Sequence, residues 1–394
     1  MQALIRPLAT IFVIQSLMTM SAYGISTIAP IAALDIGLQP ESIGFLSSTL
    51  YLCAMLVGLA TQSLVDRFGP TRTFQLLLAG IGAGCACLIA AHPVLAFVGA
   101  ALIGMGTGPM NPTGSFVLAR VTRPAAQPMV FSIKQCATPT GGMLAGAVLP
   151  PLALSAGWQW SLAMIPALVV VLIVLAPLGG MGGRSGVSVR RGAVLREMPA
   201  SLKAAFATRA LCVVVISGAL LGICQLGIAA YYVVFLWSEV GLTPTEAGQV
   251  FVVFHVSGIL SRLMLGALAE RVVPTRHILA LLGGALAVSI LAAARFEPGT
   301  STAWIYLITV LLGASGNGWV GLFYSELARL EPTRTAMVAG GAQFMMFCGI
   351  SIGPTLYGLV LNSGLRHAQA LFGFAVLAGL TLVLPRLAKP RARG

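Results

Sequence analysis

Runs of about 18 or more predominantly apolar residues recur from one end of this chain to the other, each long enough to cross a hydrocarbon core of about 30 Å as a helix. Twelve such runs, over residues 8–33, 42–65, 73–91, 94–118, 129–153, 159–180, 210–237, 247–269, 277–294, 302–325, 336–361 and 367–385, nearly exhaust its 394 residues. Charged residues make up 8% of the chain, against roughly 25% in a soluble domain, so no water-facing surface can be built from it. An all-α polytopic membrane protein of twelve transmembrane helices is expected. The first run follows Arg6 and continues to about Ala33, so it reads as an uncleaved span and not as a cleaved leader. The seven cysteines fall inside apolar runs without metal-ligand spacing and read as small packing residues.

The net charge of +13 would suggest nucleic acid in a soluble protein, but the placement of the charges gives it another meaning. With the N-terminus inside, 19 of the 23 basic residues fall in cytoplasmic segments, whereas the outer loops hold Asp35, Glu41, Glu239, Glu246 and Glu297 against Arg295 and Arg366. The positive-inside rule then puts both termini in the cytoplasm, and the basic surplus lies where anionic headgroups attract it. A multi-pass protein of a bacterial inner (plasma) membrane is expected, with the lipid bilayer as partner and no nucleic acid.

The longest polar stretch, residues 181–209, is rich in Gly and Arg and separates residues 1–180 from residues 210–394. It reads as a basic cytoplasmic linker between two six-helix bundles, the second ending in a short basic tail. The halves repeat: "GLQPESIG" from Gly37 meets "GLTPTEAG" from Gly241, and "DRFGPTR" from Asp66 meets "ERVVPTR" from Glu270, both at a shift of 204. "VLAR" ending at Arg120 meets "ELAR" ending at Arg329 at a shift of 209. Three matches in one order at nearly one shift indicate duplication, and repeat-built bundles of this kind place a binding site where the halves meet.

On these residues the chain resembles the major facilitator superfamily over essentially its whole length. The family's signature after the second span, Gly-x-Leu-Ala-Asp-Arg-x-Gly-Arg-Arg, is matched by "QSLVDRFGPTR" (Gln62 to Arg72) and by "GALAERVVPTR" (Gly266 to Arg276), with Gln62 for the leading Gly and Glu270 for Asp. The resemblance implies the superfamily fold of two pseudo-symmetric six-helix bundles and a secondary active transporter working by alternating access, rocker-switch fashion. A carboxylate followed by arginines at a helix end can pair with a neighbour in one state and release it in the other. Asp66, Arg67, Arg72, Glu270, Arg271 and Arg276 are therefore expected to form a conformational gate, the alternative being ordinary solvated turns.

Two basic residues lie within the spans: Lys134 about six residues into span five, and Arg262 in span eight. At about 1.5 Å per residue both stand roughly 10 Å inside the boundary. All ten acids fall in loops or at span ends, so the interior is expected to hold two cations and no carboxylate. A charge at such depth costs several kcal/mol unless it meets a wet cavity or a partner, and that partner is read as an anionic substrate. Arg offers a planar fork for a carboxylate and Lys a mobile point charge; alternatively Lys134 snorkels to the surface. His255, Gly258 or Ile259, Arg262 and Gly266 share one helix face, where His255 could bind substrate, carry a proton or bond to a neighbour. The anion would bridge Arg262 and Lys134 and offset their repulsion as the halves close.

The resemblance extends to the eighth span. In the oxalate:formate and monocarboxylate carriers a substrate-binding arginine stands four residues before the signature Gly, the place Arg262 holds before Gly266; the proton-linked Asp of the monocarboxylate carriers is here Gly258. "GMGTG" (Gly104 to Gly108) keeps the span-four glycines of proton-coupled members with Ala100 in place of Arg, and "TPTGG" (Thr138 to Gly142) partly matches the antiporter motif of span five. These glycines and Pro139 are also close-packing and bending positions. The superfamily's cavity-lining spans one, four, seven and ten carry Gln15, Thr19 and Tyr23; Thr107 and Asn111; Gln225; and Asn317 with Tyr324. Gln15, Tyr23, Asn111, Gln225, Asn317 and Tyr324 join Arg262, Lys134 and His255 as candidate substrate-binding residues, although such residues also join helix to helix. The aromatic Tyr231, Tyr232 and Trp319 are weaker candidates.

The function expected is transport of a small organic anion, a carboxylate by preference, coupled to a proton or counter-anion, by a monomer without cofactor or metal. The alternative is proton-driven efflux of drugs or other cationic or neutral metabolites, which ordinarily needs a carboxylate in the membrane. No HExxH or CxxC is present and "GMGTG" follows no strand, so an enzyme is not expected.

Overall fold

The computed structural model describes residues 2–123, 127–182, 193–269, 275–331 and 334–387, and every regular element among them is helical. The helices are α1 Gln2–Ala32, α2 Ile43–Gly58, α3 Thr61–Phe68, α4 Pro70–Ile89, α5 Pro93–Thr107, α6 Met110–Val121, α7 Gln127–Gln135, α8 Ala137–Ala156, α9 Trp158–Leu175, α10 Ala193–Ala205, α11 Arg209–Ser238, α12 Pro244–Ala269, α13 Thr275–Ala293, α14 Thr302–Leu330, α15 Thr335–Asn362 and α16 His367–Leu387. Each of the twelve expected spans coincides with one helix or with a broken pair. Among the described residues eight stretches are long and apolar enough to cross a membrane, and Ile43–Gly58, His277–Ala293 and His367–Leu382 are shorter apolar helices.

Three spans are broken: α2 gives way to α3, α5 to α6, and α7 to α8. Pro109 and Pro112 have no N–H to give to the carbonyls one turn earlier, which opens the helix between Thr107 and Met110. Pro139 does the same to the carbonyl of Gln135, and Cys136 N–H tightens onto Ile133 O at 3.1 Å. Helix starts follow local chemistry. Thr208 and Ser301 cap α11 and α14, and Thr243 with Glu246 closes a reciprocal capping box before α12, Thr243 N–H donating to Glu246 Oε2 at 2.8 Å and Glu246 N–H to Thr243 Oγ1 at 3.3 Å.

The chain divides into two compact units, Met1–Leu195 with Thr243–Val252, and Arg196–Leu242 with Val253–Gly394. In the first, α1 packs on α8, α4 on α5 and α9, and α2 on α5; in the second, α11 packs on α15 and α16, and α13 on α14 and α16. Within the segment expected to be a linker, α10 forms a helix whose residues from Arg196 onward belong to the second unit.

Glycines set how closely the helices approach, and the duplication shows in them. A Cβ on Gly104 would come within 2.0 Å of Leu50 O, and one on Gly313 within 2.1 Å of Phe254 O. Leu50 and Phe254 differ by the same 204 residues as the first two sequence matches, and Gly104 and Gly313 by the 209 of the third. Gly141 against Ser16 O (2.2 Å) and Gly349 against Ala219 O (2.3 Å) form a second such pair, in α8 on α1 and α15 on α11. These contacts press backbone on backbone, the way helices associate where no hydrophobic effect drives them together.

Candidate functional site

In the second unit Asn317 is the hub of a polar cluster on α11, α12 and α14. Its side chain is 2% exposed. Gln225 Nε2 donates to Asn317 Oδ1 at 2.9 Å, Asn317 Nδ2 donates to Gly313 O at 3.3 Å, and Arg262 Nε donates to the backbone oxygen of Asn317 at 2.8 Å. Three residues selected from separate helices are thereby joined. The space for Asn317 is made by Gly258, where a Cβ would stand 2.6 Å from Asn317 Cβ. The equivalent place in the first unit carries Ala54, whose backbone meets Gly108 directly, since a Cβ on Gly108 would lie 1.9 Å from Ala54 O. The glycine of the pair thus lies on opposite helices in the two halves. His255 stands two turns from Arg262, 1% exposed, edge-on to Phe254 at 5.1 Å and 85°.

In the first unit Lys134 is 1% exposed near the end of α7. Its Nζ donates to Asn111 O at 3.1 Å and to Ser115 Oγ at 2.6 Å, and lies 5.8 Å from the centre of the Phe131 ring. The ammonium therefore points into the bundle and does not follow its stem toward the helix end. Gln15, 3% exposed on α1, donates from Nε2 to Thr138 Oγ1 at 3.1 Å. Among the described residues Gln15 Oε1 and Asn111 Oδ1 are buried without a hydrogen-bond partner. Ser115 is a member of this cluster that sequence reasoning missed; its place four residues after Asn111 is the signal that could have found it.

Other candidates are placed elsewhere. Tyr23 is buried on α1 (5% exposed), and Tyr324 packs edge-on to Phe323 at 5.1 Å and 70°. Tyr232 OH shares a hydrogen bond with Thr309 Oγ1 at 2.5 Å and Trp319 Nε1 donates to Gly316 O at 3.0 Å, both helix-joining or local bonds. Tyr231 stacks on Tyr357 with centroids 4.4 Å apart, and Tyr357 OH lies 3.0 Å from His367 Nδ1, a cluster the sequence did not suggest. Of the expected gate, Asp66 and Arg67 lie on α3, with Arg67 over the Phe68 ring at 5.1 Å, and Arg72 lies in the first turn of α4. Gly69 separates the two helices at φ 76°, a left-handed conformation that a side chain rarely adopts. Glu270 and Arg271 fall outside the described residues, as does the side chain of Arg276 on α13.

The expectation that no carboxylate lies inside the bundle is corrected by Glu326. Helix α14 runs to Leu330, five residues past the expected end at 325, and this carries Glu326 into the helix with its side chain 2% exposed. Arg329 holds it in a two-pronged pair, Nε to Oε2 at 2.8 Å and Nη2 to Oε1 at 2.5 Å. The basic residue three positions on disguised the site as an ordinary charged span end. Among the described residues no group of three His, Cys, Asp or Glu side chains could hold a metal.

The family model of the Major Facilitator Superfamily matches residues 11–354. No curated protein matches the chain. Among solved structures it is similar to a POT family transporter in complex with 5-aminolevulinic acid, at TM-score 0.78 and 14% identity over 98% of this chain and 97% of that one. It is likewise similar to a POT family transporter in complex with a thioalcohol conjugated peptide, at TM-score 0.77 and 14% identity over the same shares. The all-helical fold, the duplicated halves and a family match over most of its length make this chain a multi-pass membrane transporter, not an enzyme, and a member of the Major Facilitator Superfamily.

Proposed function

We propose that the chain is a secondary transporter of a small organic anion, a carboxylate by preference, working by alternating access. The observation that carries this reading is Lys134: a fully buried ammonium on a membrane-spanning helix whose hydrogen-bond partners, Asn111 O and Ser115 Oγ, are both neutral. Burial of such a charge is tolerated when something completes it, and an anionic substrate does so. Arg262, anchored through Nε on Asn317 O, supplies a second cation in the other unit, with its planar fork held in one orientation. Gln225 and Asn317 serve as neutral contacts in the unit of Arg262 and Gln15 in the unit of Lys134, and Asp66, Arg67 and Arg72 with their counterparts Glu270, Arg271 and Arg276 act as the gate. In this reading the protein is a monomer of a bacterial inner membrane, both termini face the cytoplasm, residues 1–180 and 210–394 are its two six-helix bundles, and a proton or counter-anion supplies the driving force. The small-molecule complexes of the two similar POT family structures support a substrate of that size.

Thermal-shift measurement on purified protein across small carboxylates, inorganic anions and hydrophobic cations tests the proposal, followed by liposome counterflow with the stabilising compound. Stabilisation and counterflow by a carboxylate are expected. Stabilisation by hydrophobic cations alone would overturn the anion reading in favour of efflux, with Glu326 as the first carboxylate to examine.

A further inference from the structure

The cluster around Lys134 holds more than a charge. Helix α1 runs alongside α7 and α8 in matched register: Gln15 bonds to Thr138, Ser16 Oγ donates to Ala137 O at 3.2 Å, and Gly141 lies against Ser16 and Thr19. One turn before Gln15, Ile11 Cγ2 would stand 2.8 Å from a Cβ on Gly114, and Lys134 Cδ 3.8 Å from the same point. Ile11, Gly114 and Lys134 thus form one layer of the bundle. Alternate spans run in opposite directions, so Gln15, Asn111 and Thr138 form the next layer, one turn along each helix. In that layer, among the described residues, Gln15 Oε1 and Asn111 Oδ1 are buried acceptors without a partner. A buried carbonyl oxygen left unbonded costs about as much as a lost hydrogen bond, and two at one level beside a buried ammonium define a requirement: an anionic end for Lys134 and hydrogen-bond donors next to it.

We infer that the substrate is an anion carrying a neutral hydrogen-bond donor, a hydroxyl or an amide N–H, read by Gln15 and Asn111 while Lys134 takes the negative end. The donor is neutral because an ammonium there would face Lys134 across a low-dielectric layer and be repelled. The inference rests on the anion reading above and narrows it: plain carboxylates satisfy the charge and leave both carbonyls unpaired.

Calorimetry or thermal-shift titration of the purified protein with pairs of equal charge separates the two levels. Lactate against propionate and oxamate against pyruvate differ mainly in a neutral donor, and alanine supplies an ammonium instead. Lactate and oxamate should bind about tenfold or more tightly than their partners, with alanine weaker than lactate. In Gln15→Leu and Asn111→Leu these ratios should fall toward one. Equal affinity for both members of each pair in the unmodified protein, which needs no variant to fold, would overturn the inference and leave the anion reading standing. Selectivity that persists in both variants would overturn it too. Failure of every anion to bind would instead remove the anion reading itself.

Discussion

Asn317 lies across the bare backbone of Gly258, so close that a Cβ on the glycine would stand 2.6 Å from Asn317 Cβ and 3.1 Å from its Cγ. Because Asn317 also receives Gln225 Nε2 and Arg262 Nε, crowding at Gly258 reaches the guanidinium through the intervening residue. Gly258→Ala should cost about 1–3 kcal/mol of stability, the usual penalty of overpacking a tight contact, and should weaken anion binding at Arg262. The measurement is a titration of folded, detergent-purified Gly258→Ala with the stabilising anion; unchanged affinity would show that the Asn317 contact does not position Arg262.

Arg262→Lys separates charge from geometry at the same place. A lysine keeps the positive charge but loses the planar fork and the Nε bond to Asn317 O. Binding should fall by about tenfold or more, of the size of one lost charge-assisted hydrogen bond, while the melting temperature without ligand stays close to that of the parent.

Lys134 poses the opposite question, since its burial costs free energy that its two neutral bonds offset only in part. Lys134→Met, similar in length and apolar, should therefore leave the empty protein as stable as before or more so, and abolish anion binding. Lys134→Ala should also abolish binding but lower the melting temperature, because it leaves a cavity beside Ile11 and Phe74. Comparing the melting temperatures of the two variants checks the ordering.

Much of this architecture was legible in the sequence because a hydrocarbon solvent leaves few options: a span must be apolar and helical, so hydropathy alone located the twelve segments. The cluster of Arg262, Gln225 and Asn317 was legible residue by residue from helical spacing, but not as a set, because Asn317 is joined to Arg262 through a backbone oxygen that carries no sequence signal. Breaks at Cys136 and Gly108 escaped for a related reason, since the apolar run continues across them and only the later prolines mark the missing donors. Glu326 was hidden by hydropathy itself: an acid three residues before an arginine reads as the end of a span, whereas packing carries α14 on to Leu330. The His367 and Tyr357 contact joins two helices at positions that nothing in either segment distinguishes from ordinary aromatic packing.

Glycine contacts divide into those that carry a helix crossing and those that do not. Gly313 faces Phe254 O, where a Cβ would come within 2.1 Å, whereas Gly373 on α16 has nothing within 4 Å of its Cβ position. Gly313→Ala must push backbone from backbone, and a marked loss of monodisperse protein in size-exclusion chromatography is expected. Gly373→Ala meets no obstacle and gains helix propensity, about 0.5–1 kcal/mol in a helix interior, so its melting temperature should hold or rise. Equal behaviour of the two variants would mean that these crossings are not held by close backbone approach.

The pair of Glu326 and Arg329 is asymmetric, and the asymmetry predicts an order of effects. Glu326 is 2% exposed and Arg329 56%. Removing the carboxylate leaves an arginine that water can solvate, so Glu326→Gln should be mild; removing the arginine leaves a buried charge with no ion-pair partner, so Arg329→Ala should lower the melting temperature further. If the pair serves only to neutralise a buried acid, the double variant Glu326→Leu with Arg329→Leu should recover most of that loss, because an apolar pair of similar volume needs no solvation. A double variant that melts near the parent yet fails in counterflow would instead assign the pair to the transport cycle, since stability and turnover would then have been separated at one ion pair.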